Sequence, residues 1–152
     1  MKKIFNLFMA LMMGVTMISL SSCKDDDKSV SAEDYLAPLT YNVVKSDNSV
    51  TLTGTNKVML YKEEYVFVGG VLSSVKITEE IECGSSANAA IIVESVRDDF
   101  PEEDGYHVTI TQNGSKVVVS GTKDIESYEA GWTMDVCEEM LNARAEDMAK
   151  YF

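Results

Sequence analysis

From Tyr41 onward, apolar and polar residues alternate in short runs separated by turn-forming residues, the pattern of half-buried strands. Tyr41-Asn42-Val43-Val44-Lys45 and Val50-Thr51-Leu52-Thr53 flank Ser46-Asp47-Asn48-Ser49, and a two-residue turn at Asp47-Asn48 sets Val43 opposite Leu52 on one face. Lys57 to Tyr61 extends this sheet. Glu64-Tyr65-Val66-Phe67-Val68 leads through Gly69-Gly70, which supplies the positive φ of a tight hairpin, into the run from Val71 to Cys83. There Val71, Val75, Ile77, Ile81 and Cys83 share one face, with Ser74, Lys76, Thr78, Glu80 and Glu82 on the other. A further hairpin is predicted around Asn113-Gly114, pairing Ile110 with Val117 and Val108 with Val119 on one face, Thr111 with Lys116 and His107 with Ser120 on the other.

Two segments carry a helical period instead. Ala89, Ile92, Val93, Val96 and Phe100 form an apolar stripe, which predicts a helix over residues 86–98 with an N-cap from Gly84-Ser85-Ser86. Met134, Cys137, Leu141, Ala145, Met148 and Phe152 step by three or four, an arc of roughly 80° at helical pitch, and Thr133 can cap that helix. The order is ββββαββα. Short hairpins make the strands antiparallel, and two helices with one apolar stripe each cover one face of the sheet. The fold class predicted is therefore α+β, about six antiparallel strands with two helices packed on one face.

The start of the chain reads differently. Met1-Lys2-Lys3 is followed by an almost wholly apolar run from Ile4 to Leu20, the charged and apolar regions of a secretory signal. A membrane span needs about twenty apolar residues; this run is shorter and stops at small residues, with no basic stop-transfer cluster. It ends on Leu20-Ser21-Ser22-Cys23, which resembles the lipobox of bacterial lipoproteins. That resemblance implies acylation of the Cys23 thiol with diacylglycerol and fatty acid such as palmitate, removal of residues 1–22, and Cys23 as the new N-terminus. Several acyl chains together hold a soluble domain on a bilayer where one would not. Lys24-Asp25-Asp26-Asp27 resembles the export signal of Bacteroidota lipoproteins, which implies outer-membrane attachment on the cell surface in preference to a periplasm-facing position. The expected organisation is a signal peptide over 1–22, an acylated cysteine and flexible tether over 23–40, and one domain over 41–152.

Composition agrees with one domain: 152 residues, 45% hydrophobic and 25% charged, with two prolines and nine glycines. Removing residues 1–22 takes out Lys2 and Lys3 and no acid, so Lys+Arg falls from 13 to 11 against 25 Asp+Glu, and the formal charge deepens from -12 to -14. So acidic a chain repels polyphosphate, which excludes nucleic acid as a partner. With Cys23 used for lipid, Cys83 and Cys137 are an even pair in an exported protein, each on the core face of its own element. A Cys83–Cys137 disulfide is expected if the distance allows, two separate buried thiols if it does not.

The candidate chemistry is sparse. His107 is the single histidine, placed on a polar face beside Ser120 without a nucleophile elbow, and reads as a surface residue. The acidic run Asp98-Asp99-Phe100-Pro101-Glu102-Glu103-Asp104-Gly105 lacks the alternating spacing that aims carboxylates at one cation, so no metal is expected. Glu79, Glu80 and Glu82 raise glycosidase chemistry, but that needs a sugar-sized cleft between acid and nucleophile. No nucleotide or other cofactor motif occurs. Tyr65, Phe67 and Trp132 are the candidate interaction residues: Tyr65 and Phe67 share one strand face, and Trp132 stands beside Gly131 before the last helix, core packing being the other fate of these rings. The function expected is a lipid-anchored, acidic, non-enzymatic binding module for a protein or glycan, the second reading being an envelope inhibitor or immunity-type protein that blocks a basic enzyme.

Overall fold

The computed structural model describes residues 30–99 and 106–150. The signal segment, Cys23, most of the acidic run at 98–105 and Phe152 lie outside the described residues or their described side chains. The elements in order are α1 (Ala32–Leu36), β1 (Thr40–Lys45), β2 (Ser49–Thr55), β3 (Met59–Val68), β4 (Val71–Glu82), α2 (Ser86–Asp99), β5 (Tyr106–Asn113), β6 (Lys116–Lys123) and α3 (Met134–Met148). The six strands form one antiparallel sheet in the order β1-β2-β3-β4-β6-β5, so the fold is α+β as the sequence predicts. Helix α3 packs on β1 and β2 and helix α2 on β5 and β6. Both bury their apolar stripes in a single core: Ala89 and Ile92 from α2, and Cys137, Leu141 and Met148 from α3, meet inward residues such as Val50, Leu52, Ile81 and Val117.

Turn chemistry sets the local register. Val43 stands opposite Leu52, with the turn at Asp47-Asn48 closed by the Ser46 amide donating to the Ser49 carbonyl at 2.8 Å. Gly69 and Gly70 take φ of 60° and 82°, which a two-residue hairpin between strands requires. Thr133 caps α3 by accepting from the Val136 amide, and the Ser85 hydroxyl accepts from the Asn88 amide at the start of α2.

Four expectations change. The β5–β6 turn is centred on Gly114-Ser115, so Ile110 pairs with Val119, Val108 with Gly121, Thr111 with Val118 and His107 with Thr122. The slide moves partners along the strand but keeps every side chain on its face, so alternation alone does not detect it; β4 holds β6 here, through Ile81 opposite Val117 and the Lys116–Glu80 ion pair at 2.7 Å. Second, β4 carries an extra residue at Ser73, because Val66 pairs with Ser74 but Phe67 with Leu72. This bulge turns Leu72 inward beside Phe67 and leaves Val71 outside. Third, the runs Lys57–Tyr61 and Glu64–Val68 are not separate: the ten-residue strand Met59–Val68 runs through both, with Glu63 pointing into the core and Lys57 and Val58 ahead of it.

The last change concerns the tether. Residues 31–39 belong to the folded domain: Ser31 and Asp34 form a capping box on α1, Tyr35 and Leu39 are buried, and the Tyr35 hydroxyl donates to the Glu82 carbonyl at 2.7 Å. Asn56 Nδ2 donates to the Ala37 carbonyl, and Lys57 pairs with Asp34. Residues 31–39, which the sequence reading gives to the tether, are thus part of the folded domain.

Candidate functional site

Helices on the two flanks leave β3 and β4 to run through the middle of the covered face, and there the core is polar. Tyr61, Glu63 and Tyr65 alternate inward from β3. Glu63 is 0% exposed and accepts from the Tyr61 hydroxyl at 2.8 Å and the Tyr65 hydroxyl at 3.0 Å, while Arg144 of α3 donates to both of its oxygens. Every lone-pair direction of this carboxylate is thus served, the condition under which a buried charge is tolerated. Burial pulls the Arg144 guanidinium down, but the adjoining Glu63 charge outweighs it and holds it above its ordinary value. Burial, reinforced by Glu63, lifts both tyrosines above theirs.

Glu79 of β4 faces the same interior, opposite Tyr61 on one side and Val119 on the other. It is 2% exposed, and neither oxygen has a hydrogen-bond partner. Burial pushes its pKa up to about 8, so it carries its proton at neutral pH. Glu63 and Glu79 are diagonal neighbours, about 7–8 Å apart along the sheet, a spacing at which two carboxyls can share acid–base work. Catalysis also needs a substrate in contact, and both groups are sealed. A cavity of about 640 Å³ opens elsewhere, at the end of the opposite face, between Val30, the Asn56-Lys57-Val58 turn, Leu60, Glu80, Glu82 and Lys116. Its charges are already engaged: Lys116 with Glu80, Lys57 with Asp34, and Glu82 with the Gly84 amide.

The uncovered face of the sheet is dominated by hydroxyls. Across its rows stand Thr40, Thr55, Leu60, Glu80, Val118 and Thr111, then Asn42, Thr53, Lys62, Thr78, Ser120 and Thr109. Neither row presents an aromatic ring, and the strand tyrosines near the middle of the sheet point the other way.

Of the two fates open to them, Tyr65 and Phe67 take core packing: both are buried and present nothing to a partner, so neither serves as an interaction residue. The rule that β3 must leave one of its faces outside holds, but the outside set is Val66 and Val68. Trp132 is partly buried and stacks on Tyr65 at 6.3 Å, covering that end of the core. Among the described residues an exposed aromatic is Tyr128, which meets Trp132 edge-on at 6.0 Å; it lies in a charged loop that shows no period, so only the tertiary structure singles it out. His107 is exposed, 3.8 Å from Asp124, and Ser120 faces Thr109, so the Ser–His pairing does not form. Among the described residues no group of histidine, cysteine and carboxylate side chains is arranged to hold a metal ion, and no helix is long and apolar enough to cross a membrane.

Cys83 and Cys137 are both buried and both free. Each lies on the core face, as alternation and helical period predict, but at opposite ends of it. Cys83 is anchored by its amide to the Ser115 carbonyl, whereas Cys137 lies within electrostatic reach of Tyr65, which pairs with Val75. Eight residues of strand, about 26 Å at 3.3 Å each, separate Val75 from Cys83, far beyond the Cα separation a disulfide spans. The expected bridge is therefore replaced by two separate thiols.

No protein-family model, no curated protein and no solved structure matches this chain.

Proposed function

We propose that this chain is a lipoprotein, acylated at Cys23 and held on the outer membrane facing the cell exterior, whose acidic α+β domain is a non-enzymatic binding module for a protein partner. The observation that carries the non-enzymatic reading is the closure of the carboxyl pair: Glu63 and Glu79, the two acids inside the core, are 0% and 2% exposed and out of reach of a substrate. The attachment rests on Leu20-Ser21-Ser22-Cys23 at the end of the apolar run, with Lys24-Asp25-Asp26-Asp27 after it. A protein is favoured over a glycan because the strand aromatics that would stack on sugar rings are turned into the core.

The second reading, an inhibitor or immunity-type protein seated on a basic enzyme, is favoured by the charge of -14 that remains after processing of a chain at -12. One experiment tests the anchor. Full-length chain expressed in a Gram-negative host with an alkyne-bearing palmitate analogue should be labelled and fractionate with the outer membrane, and Cys23→Ala should lose label and membrane attachment together. Membrane attachment that survives Cys23→Ala would refute the lipid anchor and assign attachment to the apolar segment.

A further inference from the structure

We propose that the tip of the β3–β4 hairpin, Val68-Gly69-Gly70-Val71, is a docking knob that enters an apolar cleft on a basic protein while acidic side chains around it meet the cleft's rim. The inference rests on the reading of the chain as a displayed binding module and specifies the chemistry of its partner.

The hairpin is apolar on both sides. Phe67 and Leu72 face inward and are buried; Val68 and Val71 face out at 67% and 57% exposure. The bulge at Ser73 creates this arrangement, because an unbroken register would have carried Val71 to the covered face. Two exposed β-branched residues contribute little to the core, and a strand position open to water is served as well by threonine, the choice this sheet makes at Thr51, Thr53 and Thr55. Between the valines, Gly69 and Gly70 carry no side chain, and a Cβ built on either meets nothing within 4 Å, so the tip is narrow and unobstructed. Tyr128, at 60% exposure, adds a second apolar surface at the same end, through Trp132 and Tyr65.

Around this apolar end acids outnumber cations. Asp47 lies in the adjoining turn, which is bonded to β3 by the Phe67 amide donating to the Asn48 carbonyl. Asp124 and Glu126 are exposed on the loop after β6, and Asp135 is exposed in the first turn of α3. Of the cations at this end, Lys45 is held by Asp135 and Glu138 and Lys123 by Glu126 and Glu129, while Lys76 stands opposite Glu64 on the uncovered face, so the balance stays acidic. An apolar knob within an acidic rim complements an apolar cleft within a basic one, and it is repelled by an anionic lipid surface. Position agrees. Residues 30–39 pack against Asn56 and Glu82 at the other end of the sheet, about 30 Å along β3 from the tip, so a chain tethered through its N-terminal side presents the hairpin away from its anchor.

The test uses full-length chain in its native envelope, with a photoreactive amino acid at Val71 and, separately, at Thr53 on the uncovered face. The expected result is a protein adduct at Val71 and none at Thr53, with a partner that mass spectrometry identifies as having a basic isoelectric point. Titrated against the purified partner, Val68→Asp/Val71→Asp should weaken Kd at least tenfold with an unchanged melting temperature, and raising salt from 0.05 to 0.5 M should weaken the wild type. An adduct at Thr53 alone would overturn the docking knob and leave the binding-module reading standing. Adducts only with lipid, or with an acidic protein, would overturn the partner chemistry. No adduct at either position would overturn both. Equal affinity of the double variant and wild type would show that the valines are not the contact.

Discussion

Glu79 is a residue whose ionisation opposes folding. In the unfolded chain its pKa is near the model value of 4.5, and burial lifts it to about 8 in the fold. The folded state therefore keeps a proton that the unfolded chain releases, so stability is greatest below pH 4.5, falls as pH rises through the window to about 8, and levels off above it. The loss across that window is about 5 kcal/mol at 1.36 kcal/mol per pH unit, an upper figure because local opening and water entry relieve it. Replacing Glu79 with Leu should remove this slope: urea midpoints measured from pH 5 to 8 should fall for the wild type and stay nearly level for Glu79→Leu. A wild-type midpoint that rises over that range would refute the assignment.

Glu63 and Arg144 behave in the opposite way, since each satisfies the other. Arg144→Met leaves a buried carboxylate with only two tyrosine donors, which should cost about 3–5 kcal/mol, while Glu63→Met with Arg144→Met should recover most of it. Urea denaturation of the two variants beside wild type checks this. A double variant as unstable as the single one would mean that packing, not charge, is what Arg144 supplies.

At the scale of elements, α1 shows how a five-residue helix acts through its anchors. Its own hydrogen bonds are too few to hold it, and helices this short are marginal in isolation. It stays because Tyr35 and Leu39 are buried and because Tyr35, Ala37 and Asp34 are each bonded to the sheet or its turns. Cutting the chain at residue 40 removes two core side chains, Tyr35 and Leu39. The expected outcome is a melting temperature lower by about 8–12 °C, for a loss of about 2–3 kcal/mol in a domain of this size, than for a chain beginning at residue 30. Equal melting temperatures would return residues 31–39 to the tether. The β3–β4 hairpin shows the converse, an element whose turn was readable and whose last residues were not. Gly69-Gly70 declares a tight turn, but one extra residue at Ser73 decides that Leu72 and not Val71 enters the core.

Over the whole molecule, the separation of Cys83 from Cys137 fixes the redox behaviour. Burial pushes the Cys83 thiol up to about 12 and the Cys137 thiol up to about 11, so neither forms thiolate at neutral pH and neither is within reach of the other. The domain from residue 30 onward, purified without reductant, should show no thiol reactive to Ellman's reagent when native and two in guanidinium. Finding none under denaturing conditions would restore the bridge. The same molecular scale explains why strong acidity coexists with a stable fold: several acids that the sheet and helices draw inward or to their edges are paired, as Glu63 is with Arg144 and Glu129 with Lys123, and exposed carboxylates remain on the turns and loops.

The sequence by itself determined most of the elements, α1 excepted, together with the α+β class, the inward and outward residues of most strands and the polar character of the surface, because each depends on neighbours within a few positions. Period two, period 3.6, Gly-Gly and Ser/Thr caps are local signals, and they survive any arrangement of the elements in space. Tertiary structure alone decided the rest. The insertion of β6 between β4 and β5, the two-position slide at Gly114-Ser115, the pairing of Glu63 with Arg144 across 81 positions and the distance between the cysteines are long-range facts. A charged Glu-Glu step within β3 reads as a solvated segment until the arginine that buries it is supplied by a helix at the far end of the chain. Tyr65 and Phe67 were legible as sharing a face, but which face the helices cover is a property of packing, and it placed both rings inside and left Val68 and Val71 at the surface.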